Sequence, residues 1–354
     1  MIEKIDFYHL VVPLKKPYHL SFKELHDFDI FIAAIHEGNS ITLGETAPLP
    51  GYSSETPEQV WLFGKEMAPR LIGRDMEAAR EMLEPHIKSQ SFAVTPLLTA
   101  LEGITGNQDM TLQDVELVGI LSTGDHEQIR RELPEIIEKG FNTIKVKVGI
   151  DDVGHDIDKV NFILSLKPDH VKIRVDANQG YNYDQARRFV KGVNPDGIEL
   201  FEQPFPKGVW NEMEGLSRIS PVPLMLDESI NTEDDLMRAI ELKCSAYVKF
   251  KLMKAGSMKN LLRLINTARA AGLGIVLGNG VAGEIGCYHE AVAAAAVGLA
   301  NAGEMNGFLK LRESVLVRPL LFDSGKIKGD RLFRPELDFE KLNRYLVAQA
   351  SWEC

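Results

Sequence analysis

NTIKVKVG, residues 142–149, sets two lysines two positions apart inside a β-branched apolar run. A strand alternates its side chains, so Lys145 and Lys147 share one face while Ile144, Val146 and Val148 share the other. Alone, such a segment reads equally well as an edge strand wearing its charges outward. The surrounding chain decides. One rhythm of apolar run, turn, amphipathic stretch and Gly or Pro break repeats from about 120 to 305. Its runs are LVGIL (117–121), TIKVKV (143–148), VKIRVD (171–176), GIELFEQ (197–203), PLMLD (223–227), YVKFKL (247–252), GIVLG (274–278) and the shorter AGEMN (302–306). Eight runs separated by helical patterns predict a parallel βα barrel.

The spacing of Met258, Leu261, Leu262, Leu264, Ile265 and Ala268 predicts a helix over 257–271, stopped by Gly272. A second is expected over 126–139, kinked or restarted at Pro134. Residues 1–115 lack the barrel rhythm. They begin with two strand-like stretches and a turn near Glu37, Gly38 and Asn39, then helical patterns over roughly 56–71, 75–88 and 93–104. This predicts an N-terminal α+β domain over 1–115, a barrel over 116–310 and a tail over 311–354 that returns to the first domain.

Composition narrows the partners. A net charge of −11 argues against a phosphate-tracking nucleic-acid surface and a polybasic membrane patch, and favours a small molecule. Three widely spaced cysteines, Cys244, Cys287 and Cys354, indicate neither a disulfide framework nor a metal clip. With no signal-like N-terminus and no apolar run of about 18 residues, the expected place is the cytoplasm.

The C-terminal ends of barrel strands surround the active site, so the polar residues closing each run carry the chemistry. The third run ends in Asp176 with Asn178 beyond, the fourth carries Glu202, and the fifth ends in Asp227 followed by Glu228. The three acids fall 26 and 25 residues apart, one βα unit each, so adjacent strands present them side by side. Unpaired carboxylates would not stay charged together, and a divalent cation resolves the conflict. An all-oxygen set with no His or Cys nearby suits Mg²⁺. The blander alternative has each acid capping a helix or pairing with a base. Lys251 closes the sixth run, opposite the second, so a metal-held carboxylate substrate would lie between Lys147 and Lys251. A neighbouring ammonium lowers a lysine's pKa, which gives Lys145 the task of tuning Lys147 and helping to hold the carboxylate.

These residues resemble the enolase superfamily, in particular its mandelate racemase and muconate lactonizing enzyme subgroup. The resemblance rests on K-V-K (145–147), V-D-A-N-Q-G-Y (175–181), F-E-Q-P (201–204), L-D-E-S (226–229) and K-L-M-K-A-G (251–256), in order across nearly the whole chain. It implies an α/β fold, a modified (β/α)7β TIM-type barrel with an N-terminal α+β capping domain to which the tail returns. It implies a Mg²⁺-bound carboxylate that loses its α-proton to a lysine through an enediolate. Asp176, Glu202 and Asp227 are then the metal ligands, and Lys147 and Lys251 the acid/base pair on opposite faces of the substrate. Epimerisation or racemisation of a dipeptide or N-acylamino acid is the leading expectation, because inversion needs a base on each face. Syn β-elimination of the o-succinylbenzoate synthase kind and muconate-type cycloisomerisation are the alternatives, and a non-catalytic barrel binding a small anion or partner is a remote one. The family's barrels are often homo-oligomers.

Three departures from the subgroup stand out. Ala282 occupies the place of a common glutamate, within a Gly-rich loop over 278–286 that serves either an anion or a tight turn. Glu304 and Asn306 stand where dipeptide epimerases carry an Asp-x-Asp for the substrate ammonium. Lys249 replaces a commonly neutral residue and needs a partner such as Glu228, or a depressed pKa. His289 and Trp210 read as packing residues. Two cap loops, 17–26 and 50–54, are expected to close over the barrel mouth and set substrate choice through His19, Phe22, Lys23 and Tyr52.

Overall fold

The structure is a computed structural model that describes residues 1–20, 23–103, 112–121 and 124–354. Three antiparallel strands, β1 (Lys4–His19), β2 (Glu24–Glu37) and β3 (Ser40–Thr46), open the chain. The β2–β3 turn needs a left-handed residue, which Gly38 supplies at φ +55°. The helices α1 (Pro57–Leu71), α2 (Met76–Leu83) and α3 (Ser91–Glu102) follow. The pattern over 75–88 becomes α2 and a 3₁₀ turn over Glu84–Lys88, because Pro85 withholds an amide. The expected end of the third cap helix, residue 104, lies outside the described residues.

A short strand β4 (Val115–Glu116) leads into the barrel. Its strands are β5 (Val118–Leu121), β6 (Thr143–Lys147), β7 (Lys172–Asp176), β8 (Ile198–Glu202), β9 (Leu224–Leu226), β10 (Tyr247–Phe250) and β11 (Gly274–Leu277). Their helices are α4 (His126–Glu138), α5 (Val153–Leu166), α6 (Tyr183–Gly192), α7 (Trp210–Ser217), α8 (Glu233–Leu242), α9 (Leu252–Ala255), α10 (Met258–Ala270) and α11 (Glu284–Ala296). The strands form one sheet in sequence order, every ladder parallel. α10 starts at the Ser257 cap. α4 runs through Pro134 without restarting; that residue is exposed, so the carbonyl its ring leaves unpaired faces water.

The run 302–306 is not a regular eighth strand. It closes the barrel with single hydrogen bonds: Gly303 N donates to Glu116 O, Val118 N to Gly303 O, and Glu304 N to Leu277 O. Beyond it, α12 (Gly307–Lys310), β12 (Phe322–Asp323), β13 (Lys326–Ile327) and α13 (Phe339–Tyr345) lead to β14 (Leu346–Glu353), which pairs antiparallel with β1. β12 and β13 join β4 in a small sheet.

Cap and barrel are pinned by carboxylates from one seated on helix starts of the other. Glu45 of β3 accepts from Gly283 N at 2.6 Å and Ile285 N at 3.0 Å, at the start of α11. Glu102 of α3 accepts from Met258 N at 2.6 Å and Lys259 N at 3.0 Å, at the start of α10. Each satisfies two amides that a helix leaves unpaired. No helix among the described residues is long and apolar enough to cross a membrane.

Candidate active site

The strand ends meet in a cavity of about 260 Å³ lined by Lys145, Lys147, Asp176, Asp227, Lys251 and Glu304 among others. β6 and β10 face each other: β7, β8 and β9 lie between them on one side, and β5, the closing run and β11 on the other. Lys147 and Lys251 therefore approach the cavity from opposite walls.

Under them lies a buried ionic cluster. Lys145 Nζ is 2.9 Å from Asp176, 3.0 Å from Glu202 and 2.8 Å from Glu304. Lys249 Nζ is 2.9 Å from Glu202, 2.5 Å from Glu304 and 3.2 Å from Asp227. Lys251 reaches Asp227 at 2.7 Å and donates to the Tyr52 hydroxyl at 2.5 Å. Burial alone would discharge these lysines, but the carboxylates prevail and hold Lys145 and Lys251 well above the ordinary lysine range. Asp227 is held well below the usual carboxylate range, its burial outweighed by Lys249 and Lys251.

Several expectations change. Lys249 is paired with Glu202, Glu304 and Asp227 rather than Glu228, and its pKa rises. Glu228 instead accepts from Asn178 Nδ2 at 2.5 Å. Lys147 is indeed depressed, but burial is the main cause, with Lys145 only a lesser contributor against the opposing pull of Asp176. Glu304 lies beneath two lysines, so it offers no free carboxylate to a substrate ammonium. In the Gly-rich loop, Gly283 N and Ile285 N are spent on Glu45, and Val281 N on the Asn279 side chain, so these amides are not free for an anion. Ala282 and Asn306 are buried, and Asn306 accepts from Lys310 Nζ at 2.7 Å.

From the cap, Tyr52 enters the site and places its ring 4.7 Å from Lys251 Nζ. The His19 side chain points outward to Glu24, and only its carbonyl meets Lys147, at 3.5 Å. Lys23 is exposed and does not line the cavity, and Phe22 lies outside the described residues. Tyr18 and Leu20 line the cavity and were missed by the sequence reading; Tyr18 lies one position from His19 in the same loop, with Lys310 Nζ 4.5 Å from its ring. Gln203 was also missed. Its side chain accepts from Asp227 N and Ser229 N and donates to Phe205 O and Ser229 Oγ, locking the end of β9. Asn178, Gln179 and Gln203, just past β7 and β8, hold φ of 43°, 70° and 37°, strain of the kind met at functional loops.

The oxygen set at the ends of β7, β8 and β9 matches Mg²⁺ in chemistry; Glu228 Oε2 is buried with no hydrogen-bond or ion-pair partner among the described residues, whereas Glu202 Oε2 and Asp227 Oδ1 face the Lys145 and Lys251 ammonium groups at 3.0 and 2.7 Å. As they stand, no three such groups among the described residues converge on one point; ammonium groups are the cations they hold. His289 and Trp210 are packed, Trp210 beneath Arg238 at 5.3 Å.

A family model described as Enolase C-terminal domain-like matches residues 128–331. An L-Ala-D/L-Glu epimerase of Clostridium acetobutylicum is 25% identical over 92% of this chain and 96% of its own. A chloromuconate cycloisomerase of Cupriavidus necator is 25% identical over 77% of this chain and 78% of its own. The crystal structure of the muconate lactonizing enzyme of Pseudomonas fluorescens with muconolactone superposes with TM-score 0.87 and 25% identity, covering 98% of this chain and 99% of that one.

Proposed function

The chain belongs to the enolase C-terminal domain-like family, and from that premise we propose that it moves the α-proton of a carboxylate substrate, as an epimerase or racemase of a dipeptide or N-acylamino acid. It is an enzyme, and its relatives are isomerases of the epimerase and cycloisomerase kinds. The observation that carries the reading is the pair Lys147 and Lys251 on opposite walls of one small cavity.

Asp176, Glu202 and Asp227 would hold Mg²⁺, which when bound supplies positive charge to a substrate carboxylate. The chain's own residues do the rest. Lys147, with its pKa depressed by burial, is the readier base and takes the α-proton on its face. Lys251, kept charged beside Asp227, delivers a proton to the opposite face. Tyr52 accepts from Lys251 and holds its ammonium in place. Cycloisomerisation is the second reading, favoured by the likeness to the muconate lactonizing enzyme, and syn β-elimination needs only one of the two lysines as base.

The test is incubation with Mg²⁺ in D₂O and a pool of dipeptides, N-acylamino acids and other carboxylates. A gain of one mass unit at one α-carbon, with chiral analysis showing inversion, supports epimerisation. No exchange from any amino-acid derivative overturns it and moves cycloisomerisation or elimination to the front.

A further inference from the structure

A second cavity of about 1060 Å³ opens beside the first, and the two share Gly51, Tyr52, Lys207, Asn231 and Lys254 as a common wall. Lys254 stands out in that wall. Its ammonium has one long hydrogen bond, to Ile230 O at 3.4 Å, and lies 5.1 Å from the Tyr52 ring. No carboxylate among the described residues forms an ion pair with it. Burial and the nearby Lys251 push its pKa down to about 8. Two other cations around the outer cavity are matched, Arg263 with Glu233 at 2.8 Å and Lys259 with Glu84 at 3.4 Å, while Lys88, also on its wall, is exposed to solvent. Lys207, exposed on the shared wall, has no such match among the described residues. A half-buried ammonium with no ion-pair partner is costly, and a methionine would fill its space without that cost. The cost is recovered when a ligand brings the missing negative charge.

The charge around the reaction cavity leans the same way. Six lysines line it against four carboxylates, with Glu202 a fifth beneath Lys145 and Lys249, and a divalent ion would widen the remaining excess. Glu304 is already shared by Lys145 and Lys249.

We propose that the wall between the cavities is a subsite for a second anion: Lys254, supported by Lys207, grips a carboxylate carried several atoms beyond the reacting carbon, so the substrate is a dianion rather than a zwitterion with a free amine. This rests on the reading that the inner cavity takes a carboxylate substrate. Tyr52, between the Lys251 and Lys254 ammonium groups, then divides the reacting end of the substrate from its recognised end.

The experiment pairs turnover with binding. α-Deuterium incorporation is followed for N-glutaryl-alanine, for its neutral distal amide and for N-(4-aminobutanoyl)-alanine. In parallel, calorimetry compares glutarate with butyrate. The expected result is a preference of about tenfold or more for the anionic member in both assays. Lys254→Met is expected to bring both ratios below about threefold, acting on KM, while Lys254→Arg retains them and Lys207→Met lowers them by about half. Equal handling of amide or ammonium, or a preference untouched by Lys254→Met, overturns the subsite. Exchange without charge preference removes the subsite and leaves the proton-transfer reading standing. A Lys254-dependent preference for glutarate without exchange on any compound keeps the subsite and removes that reading. Because Lys207 is exposed, its variant keeps the test open even if Lys254→Met fails to fold.

Discussion

At the scale of single residues, the strand-end groups were legible because a period of two fixes which side chains share a face. Their partners were not. Lys249 was expected beside Glu228, yet it lies against Glu202, Asp227 and Glu304, contacts made across the barrel interior that no single strand reveals. In an epimerase, Lys147→Ala and Lys251→Ala are each expected to lower turnover by about a thousandfold, each blocking exchange from one stereoisomer; isotope exchange on the separate isomers checks this. Glu304→Gln removes one of three carboxylates from each of Lys145 and Lys249 and is expected to cost about 1 to 3 kcal/mol in denaturant melts, with the double change to Lys249→Met recovering part of it. His289 illustrates the opposite case, a buried neutral base. Desolvation lowers its pKa from 6.5 to about 4, and its Nδ1 has no partner. The unfolded chain therefore binds the extra proton between those values, so this residue's contribution is present above pH 6.5 and lost as pH falls toward 4. The loss is at most about 3 kcal/mol, and His289→Leu should flatten stability between pH 4.5 and 7 by a comparable amount.

At the scale of elements, the seven regular strands were visible as apolar runs, and α10 as a face with a stop. The eighth run was not a strand because closure needs only a few hydrogen bonds at Gly303 and Glu304. There Gly303 lies so close that a Cβ would strike the Met305 side chain at 2.2 Å. The Gly-rich loop offered two readings, and the deciding partner, Glu45, sits 238 residues away from Gly283. Burial pushes the Glu45 carboxyl up to about 7, and the amides of Gly286, Gly283 and Ile285 pull against that. Glu45→Ala leaves those amides buried and unpaired, and is expected to cost about 1 to 3 kcal/mol in thermal or urea melts. Gly283→Ala should be worse tolerated than an average helix-start change, because its Cβ would lie 2.4 Å from Glu45 Oε2.

At the scale of the whole molecule, the barrel and its cap were foreseeable from rhythm, whereas the route of the tail was only partly so. β14 alternates half-buried and exposed residues, a pattern that says strand but not which strand it will join; the ladder from Lys4↔Glu353 to Leu10↔Leu346 answers that. The carboxylates of Glu45 and Glu102, each seated on a helix start of the barrel, have a thermodynamic consequence. If the cap melts, the barrel's α10 and α11 lose the partners of their first amides, and if the barrel melts, Glu45 and Glu102 lose theirs, so cap and barrel should unfold cooperatively, as one calorimetric endotherm with equal van't Hoff and calorimetric enthalpies. In the double variant Glu45→Ala/Glu102→Ala that coupling is weakened, and the endotherm should broaden or split into two.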